Sequence, residues 1–418
     1  MDVEACGARY GSLWGGLANG WRGVVGARIR LLVFYVNYGP YHLARARALL
    51  GMGEVDPVFL QLASSQRSHP WLQEQVEDVP VLTLFERRYE EVGWREASQK
   101  TLEVLRALRP DAVAVAGYGL SCMLTAAVWA AKNRRASVLL FETGRHDRKR
   151  NYFLEAFKRT LVVRLFDSAM VGGQVHRDYL AELGFPTDRM WEPLSVVDNA
   201  FFRDGVRKVR CEDRSAWAER LGLPERYFVF VGRLAEEKNV RMLLRAYEIY
   251  RSRNKDGWGL VLVGDGPLRR ELEGLSEERK LPGLVLTGYL PTAATVPYYA
   301  WARAFVLPSS REPWGLVVNE AMACSLPVIV SDRCGCAPDL VTSANGWIFD
   351  SKDLLGLAEA LEVAAATPPG VLEKMGAASA AQIARYTPER WAEGLMSAVR
   401  AAHARTGQSR SLGGGGIG

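Results

Sequence analysis

Short apolar runs without charges recur along the chain, and stretches with helical spacing alternate with them. Strands that are apolar on both faces are typical of a parallel sheet that helices cover on both sides. The first series of runs predicts strands at 31–36, 81–85, 112–116, 138–141 and 168–171. The second series predicts strands at 227–231, 259–263, 284–286, 304–307 and 327–330. We therefore predict an α/β chain with two doubly wound, Rossmann-like domains that face a central cleft.

The length of 418 residues is consistent with two or three domains. The charged segment 203–214 lacks a strand pattern, and we place the linker between the two series there. The glycine-rich start is expected to be a flexible extension, with a weak interfacial anchor as the alternative. The glycine-rich end is expected to be a disordered tail. The predicted units are the extension 1–27, the first domain 28–203, the second domain 204–378, a last helix 379–403 and the tail 404–418.

Composition narrows the class of protein. Hydrophobic residues make up 48% and charged residues 24%, which excludes a disordered, collagen-like or disulfide-dense chain. The net charge of +6 is too small to imply nucleic acid, and the six cysteines show no paired zinc spacing. The uncharged stretch 112–131 is broken by Gly117 and Gly119, so we predict a strand, a turn and a helix there rather than a membrane span. Asp2 and Glu4 do not fit a secretory signal, and we expect a cytoplasmic protein with free thiols.

The segment 309–323 follows a predicted strand and begins a helix. Pro313 and Gly315 keep its first residues out of the helix and let the backbone approach a ligand. The N–H groups near 315–317 then lie unpaired at a helix N-terminus, where anions bind. Glu312 precedes this terminus and Glu320 lies within the helix. Two carboxylates beside an anion pocket suit a ligand with phosphate in the middle and hydroxyls at both ends, while a capping acid and a surface glutamate are the alternative.

A second cluster of charges follows the first strand of the second series. Gly232 and Arg233 leave this strand, and Lys238 comes five residues after Arg233. Because parallel strands end at one edge of a sheet, these cations should emerge on the side where Glu312 emerges. Fixed cations in a closed cleft can neutralise the charge that develops on a phosphate leaving group. A solvated pair of loop cations is the alternative.

Together these segments resemble glycosyltransferase family 4, whose members are retaining, nucleotide-sugar-dependent enzymes with the GT-B fold. The resemblance covers 225–350 closely and the first half in outline. It implies that the last helix crosses back to the first domain. The matching pieces are Gly232-Arg233-x4-Lys238, Val263-Gly264-Asp265-Gly266-Pro267, Thr287-Gly288-Tyr289-Leu290, Glu312-x7-Glu320-Ala321-Met322-Ala323 and Pro327-Val328-Ile329-Val330-Ser331.

The resemblance assigns roles at these positions. Arg233 and Lys238 would hold the donor pyrophosphate, Glu312 would face the transferred sugar, and Glu320 would bind the ribose diol. The sequence has no D-x-D motif, so the two cations would take the place of a metal, and no cofactor beyond the donor is expected. The donor-binding residues would be Gly39, Gly232, Gly264, Tyr289, Leu290, Trp314, Gly315, Leu316 and Glu320. The resemblance thus implies a metal-independent, retaining transferase with a nucleoside diphosphate sugar, UDP favoured, as donor.

The first half departs from the family pattern. Many members carry a Gly-Gly loop after the first strand, and here the segment 37–41 offers only Gly39. Many also place a catalytic histidine after a middle strand, where either Glu142 or His146 could occupy the cleft. At the next strand end, Gly172 is a reasonable lining residue and His176 a weaker one.

One departure falls in the second half. Ser325 replaces the glycine that usually ends the helix after Glu320, and we expect a small cost in stability there.

The sequence does not distinguish a saccharide, a lipid and a small molecule as the acceptor. The segment 145–164 holds seven cations with interleaved aromatic residues. It could contact an anionic inner membrane surface or a phosphorylated acceptor, or it could be a solvated helix that covers the sheet.

Two other functions remain possible on this fold: a sugar-nucleotide epimerase or hydrolase, and a catalytically silent sugar-nucleotide-binding scaffold. An NAD dehydrogenase is disfavoured, since no G-x-G-x-x-G follows the first strand.

Overall fold

The structure is a computed structural model that describes residues 28–66, 78–145 and 152–412. The predicted N-terminal extension 1–27 and His146 lie outside the described residues. So do residues 146–151 of the basic segment and residues 413–418 of the predicted tail. No helix of the described part has both the length and the apolar character needed to cross a membrane.

The first domain contains a seven-stranded sheet in the order β3-β2-β1-β4-β5-β6-β7, and every pair of neighbouring strands is parallel. Its strands are β1 (Ile29–Tyr35), β2 (Val55–Ser65), β3 (Val81–Arg88), β4 (Ala112–Ala116), β5 (Ala136–Phe141), β6 (Ser168–Val171) and β7 (Met190–Trp191). Its helices are α1 (Pro40–Met52), α2 (Trp94–Leu108), α3 (Ser121–Lys132), α4 (Tyr152–Leu165) and α5 (Gln174–Glu182).

The second domain contains a six-stranded parallel sheet in the order β10-β9-β8-β11-β12-β13. Its strands are β8 (Tyr227–Val231), β9 (Gly259–Val263), β10 (Leu284–Gly288), β11 (Ala304–Leu307), β12 (Val328–Ser331) and β13 (Gly346–Phe349). The helices from the end of the first domain onward are α6 (Asn199–Arg210), α7 (Arg214–Leu221), α8 (Val240–Arg253), α9 (Arg269–Arg279), α10 (Thr292–Trp301), α11 (Leu316–Ala323), α12 (Ala337–Leu340), α13 (Leu354–Ala366), α14 (Pro369–Ile383) and α15 (Pro388–Leu412).

These two sheets confirm the predicted α/β architecture. Strands β4, β6, β8, β9 and β11 have the predicted bounds, and the uncharged stretch 112–131 forms β4, a turn and most of α3, as expected. Strand β2 was not predicted, because Asp56, Pro57 and Gln61 interrupt its apolar pattern. The amide of Gln61 accepts from the Tyr38 N–H at 2.9 Å and donates to Thr83 at 2.8 Å, so burying it inside the sheet leaves no polar group unsatisfied.

The segment 203–214, expected to be a linker, is mostly helical. Residues up to Arg210 continue α6, whose N-terminus is capped by the Asp198 carboxylate, an acceptor for the Phe201 N–H at 2.9 Å. Phe202, Val206 and Val209 are buried in the core of the second domain. Their spacing of four and three residues is helical, but the charges between them hid this pattern from a search for strands.

The last helix, α15, lies against the sheet of the first domain. Trp391, Leu395 and Val399 are buried in the core formed with β1, β4 and β5. The Ser168 hydroxyl donates to the Ala398 carbonyl oxygen at 2.9 Å. The helix continues to Leu412, so residues 404–412, expected to be disordered, extend it. The chain therefore passes from the first domain to the second before α6 and returns before α15.

Ser325 is the second residue after the end of α11 and adopts a φ of 59°, in the left-handed region. Its N–H donates to Met322 and the next N–H donates to Ala321, both at 3.0 Å. We predict that Ser325→Gly raises the free energy of unfolding by about 0.5–1 kcal/mol, since glycine adopts this conformation without steric cost. Chemical unfolding followed by circular dichroism measures the change. Ser325→Ala keeps the Cβ atom and should give no gain, so equal effects of the two variants would contradict this explanation.

Candidate functional site

The loops that follow β8 and β9 cross each other at two glycines. Gly264 has a φ of 145°, and a Cβ atom there would lie 1.9 Å from the Gly232 carbonyl oxygen. Gly232 itself has a φ of 152°. Both glycines are therefore required for the two loops to pack backbone against backbone. This packing fixes the path of the chain into Arg233, which is exposed, and into the short 3-10 turn that ends at Lys238.

Lys238 and Glu312 form an ion pair between the loops after β8 and β11. The Lys238 ammonium donates to Glu312 Oε2, and the Ser309 hydroxyl donates to the same oxygen at 3.2 Å. The two side chains are only 17% and 12% exposed, so solvent screens the pair weakly. The backbone of Glu312 is held as well, since the Gly335 N–H donates to its carbonyl oxygen at 2.9 Å. The structure thus brings together a cation and a carboxylate that the sequence places 74 residues apart.

The chain turns into α11 at Trp314 and Gly315. Gly315 has a φ of 103° and is the N-cap residue of the helix. Trp314 is buried, and its indole N–H donates to Asn319 Oδ1 at 2.9 Å. The Asn319 amide donates in turn to the Ser195 carbonyl oxygen at 3.2 Å, in the segment that leaves the first domain. Leu316, the first residue of the helix, is half-buried. The expected anion-binding turn is therefore anchored from both domains.

Glu320 is buried within α11, and both of its carboxylate oxygens are occupied. The Tyr299 hydroxyl of α10 donates to Oε2 at 2.7 Å, and the Tyr41 hydroxyl of α1 donates to Oε1. Burial raises the pKa of Glu320 to about 7, although the two hydrogen bonds favour the charged form. Burial also raises the pKa of both phenols well above its usual value, so each phenol keeps the proton that it donates. The carboxylate expected at the ribose thus bridges the two domains.

His176, which the sequence analysis ranked below Gly172, contacts the loop beside Glu312. Its side chain is fully buried, and its Nε2 atom lies 2.9 Å from the Pro313 carbonyl oxygen. Because a carbonyl only accepts, Nε2 carries the hydrogen. Burial lowers the pKa of His176, which favours the neutral ring. A Cβ atom at Gly172 would lie 2.6 Å from His176 Nδ1, so the absence of a side chain at 172 makes room for the imidazole.

Glu142 also lies on the side of the first domain that faces the second. Its carboxylate accepts from the Ser195 hydroxyl at 2.9 Å, and Ser195 bonds to Asn319 through its carbonyl. Gly39, the other first-domain residue expected at the donor, is buried at the N-terminus of α1. Its N–H donates to the His42 ring at 3.2 Å.

Tyr289 and Leu290 follow β10 at the edge of the second sheet. Tyr289 is 45% exposed, and Leu290 is half-buried against the second-domain core. The Gly264 N–H donates to the Gly288 carbonyl oxygen at 3.0 Å, which joins their loop to the loop crossing described above. In the described ranges, no three His, Cys, Asp or Glu side chains lie close enough together to hold a metal ion.

A second contact between the domains involves Asp339 of α12. Its two carboxylate oxygens each lie 3.1 Å from the Gln174 backbone nitrogen, which donates to them at the N-terminus of α5. A negative charge is favoured at a helix N-terminus. Burial nevertheless raises the pKa of Asp339 to about 6. Sequence reasoning missed this contact, and it also missed the roles of Tyr41, Tyr299 and Asn319, because each depends on how distant segments meet.

The raised pKa of Glu320 makes stability depend on pH. The folded protein keeps a proton with a pKa of about 7, whereas an unfolded glutamate releases it near its ordinary value of 4.5. This contribution is present below about pH 4.5 and is lost as pH rises through 7. We predict that Glu320→Gln, which cannot ionise, gains about 2.5 kcal/mol in unfolding free energy relative to the unmodified protein as the pH rises from 5 to 8.

Unfolding of both proteins across this pH range measures the difference. Glu277→Gln is the control, because Glu277 is exposed on α9. A difference between the unmodified protein and Glu320→Gln that does not change with pH would contradict the assignment.

Comparisons with known proteins place this geometry in context. Residues 213–381 match the family model of glycosyl transferases group 1. The chain is similar to a putative teichuronic acid biosynthesis glycosyltransferase, TuaC, of Bacillus subtilis, with 33% identity over 174 residues. That alignment covers 40% of this chain and 42% of the relative. The chain spans less than half the length of the curated relatives it matches.

Solved structures match nearly the whole chain in fold. Anabaena Alr3699/HepE, solved in complex with UDP and glucose, superposes with a TM-score of 0.66 at 13% identity, over 92% of this chain and 100% of that chain. The α,α-trehalose 6-phosphate synthase of Burkholderia multivorans gives 0.70 at 14% identity, over 92% and 99%. The chain therefore has the two-domain GT-B fold, and most of its second domain matches the glycosyl transferases of group 1.

Proposed function

We propose that this protein is a glycosyltransferase that moves a sugar from a nucleoside diphosphate donor to an acceptor. The observation that carries the proposal is the meeting of Lys238 and Glu312 beside the N-terminus of α11, with Glu320 within the same helix. An ammonium can bind a phosphate, and carboxylates can accept hydrogen bonds from sugar hydroxyls, so this set of groups matches the phosphate and the hydroxyls of a sugar nucleotide. The similarity of residues 213–381 to group 1 glycosyl transferases supports the same conclusion.

The ion pair suggests how the donor is received. Glu312 neutralises Lys238, which reduces the cost of holding a largely buried ammonium. A donor pyrophosphate would compete for this ammonium and would also meet the exposed Arg233. Glu312 would then be free to accept hydrogen bonds from the hydroxyls of the transferred sugar. The cations would stabilise the charge that develops on the leaving phosphate.

We further propose the retaining, metal-independent chemistry of glycosyltransferase family 4, with UDP as the favoured nucleotide. In this chemistry the bond from the anomeric carbon to the phosphate oxygen breaks, and the acceptor oxygen bonds to the same face. The acceptor proton passes to the leaving phosphate. Two features support the proposal. The sequence carries the family motifs that include Arg233 and Lys238, and the crystal structure of one structural neighbour contains UDP and glucose. We place the acceptor site mainly on the first domain.

Nucleotide binding should raise the thermal midpoint, because a ligand that binds only the folded protein stabilises it by mass action. We predict a shift with UDP that exceeds the shifts with GDP and dTDP, without added metal, and a loss of at least about 10-fold in UDP affinity in Lys238→Ala. Lys374→Ala is the control, since Lys374 is exposed on α14. No shift with any nucleoside diphosphate would contradict the proposal.

Turnover tests the chemistry apart from binding. We predict that Lys238→Ala lowers the rate of nucleoside diphosphate release in the presence of an acceptor by about 100-fold, as for other lost donors to a developing anion. Circular dichroism of the variant checks that it is folded. Near-normal turnover would remove Lys238 from the mechanism, and equal release without an acceptor would indicate a hydrolase.

A further inference from the structure

The two phenols on Glu320 come from different domains and differ in how deeply they are buried. Tyr299 is fully buried in the second-domain core, where its ring lies 6.1 Å from Phe202 and 6.2 Å from Phe305. Tyr41 is only half-buried, and it is the second residue of α1, on the opposite domain. Tyr299 is therefore a fixed partner of the carboxylate, whereas Tyr41 holds it across the cleft.

Glu320 is only 2% exposed, so a ribose diol cannot reach its carboxylate while the two phenols cover both oxygens. Oε2 is held by a fixed side chain of the same domain, and Oε1 is held by Tyr41. A buried carboxylate without a partner is costly, so an empty cleft needs some donor at Oε1. A ribose hydroxyl and the Tyr41 hydroxyl are both neutral O–H donors, and either can satisfy this oxygen.

We propose that Tyr41 is a donor-site residue whose hydroxyl occupies the ribose position on Glu320 in the empty cleft and is exchanged for a ribose hydroxyl when the nucleotide binds. The inference rests on the proposed function and extends the donor site to the first domain. It makes the start of α1 part of the surface that receives the ribose.

The exchange has a measurable consequence. A ribose hydroxyl that replaces Tyr41 gains only the difference between two similar hydrogen bonds. In Tyr41→Phe the oxygen is free, so the ribose hydroxyl gains its whole bond. A hydrogen bond to a charged group contributes enough for about a 10-fold change in affinity. A nucleotide without ribose hydroxyls gains nothing in either protein.

The experiment compares the affinities of UDP and 2′,3′-dideoxy-UDP by isothermal titration calorimetry at pH 8.5. We expect the preference for UDP to be about 10-fold greater in Tyr41→Phe than in the unmodified protein, with the dideoxy nucleotide binding both proteins equally. Tyr38→Phe is the matched control, because its hydroxyl donates to the Val33 carbonyl oxygen at 2.9 Å. Tyr299→Phe removes the fixed partner and should not increase the preference.

The failure of this inference differs from the failure of the proposed function. An unchanged preference in Tyr41→Phe, with UDP binding that still depends on Lys238, would refute the exchange and keep the phosphate site. An equal increase in Tyr38→Phe would also refute it, since that hydroxyl bonds within the first domain. Absence of UDP binding to every variant would overturn both proposals.

Discussion

The carboxyl ends of two parallel sheets face each other, and this constraint positions every group of the candidate site. Parallel strands end at one edge of a sheet, so the loops that carry Lys238 and Glu312 must emerge side by side. The first domain contributes its own strand-end loops from the opposite side. His176 reaches the carbonyl oxygen next to Glu312, and Ser195 accepts from Asn319. The site is therefore assembled from both domains.

Charge and burial are balanced differently at the two glutamates. Glu312 is held by an ammonium and a hydroxyl of its own domain, so its negative charge is neutralised where it lies. Within the described residues, Glu320 forms no ion pair and is held by two phenols, and burial raises its pKa to about 7. In the proposed donor site, the first carboxylate would release a cation and the second would exchange a hydroxyl when the nucleotide binds. The second exchange would link binding to the arrangement of the two domains, because Tyr41 and Glu320 lie in different domains.

The sequence predicted the structure best where short local motifs determine it. The strand ends at Gly232 and Gly264 and the turn before α11 follow from apolar runs and glycines, and the structure places them at one edge of the second sheet. Local patterns were less informative where contacts between distant segments determine the structure. Strand β2 has a broken apolar pattern because Gln61 finds hydrogen-bond partners on its neighbours. No spacing rule relates Tyr41 to Glu320, which lie 279 residues apart.

A crystal structure of the protein with bound UDP tests the central claim most directly. The account predicts the diphosphate between Arg233 and Lys238, with the Lys238–Glu312 ion pair opened. It also predicts a ribose hydroxyl on Glu320 Oε1, with the Tyr41 hydroxyl displaced. A nucleotide bound elsewhere, with the Lys238–Glu312 and Tyr41–Glu320 contacts intact, would contradict it.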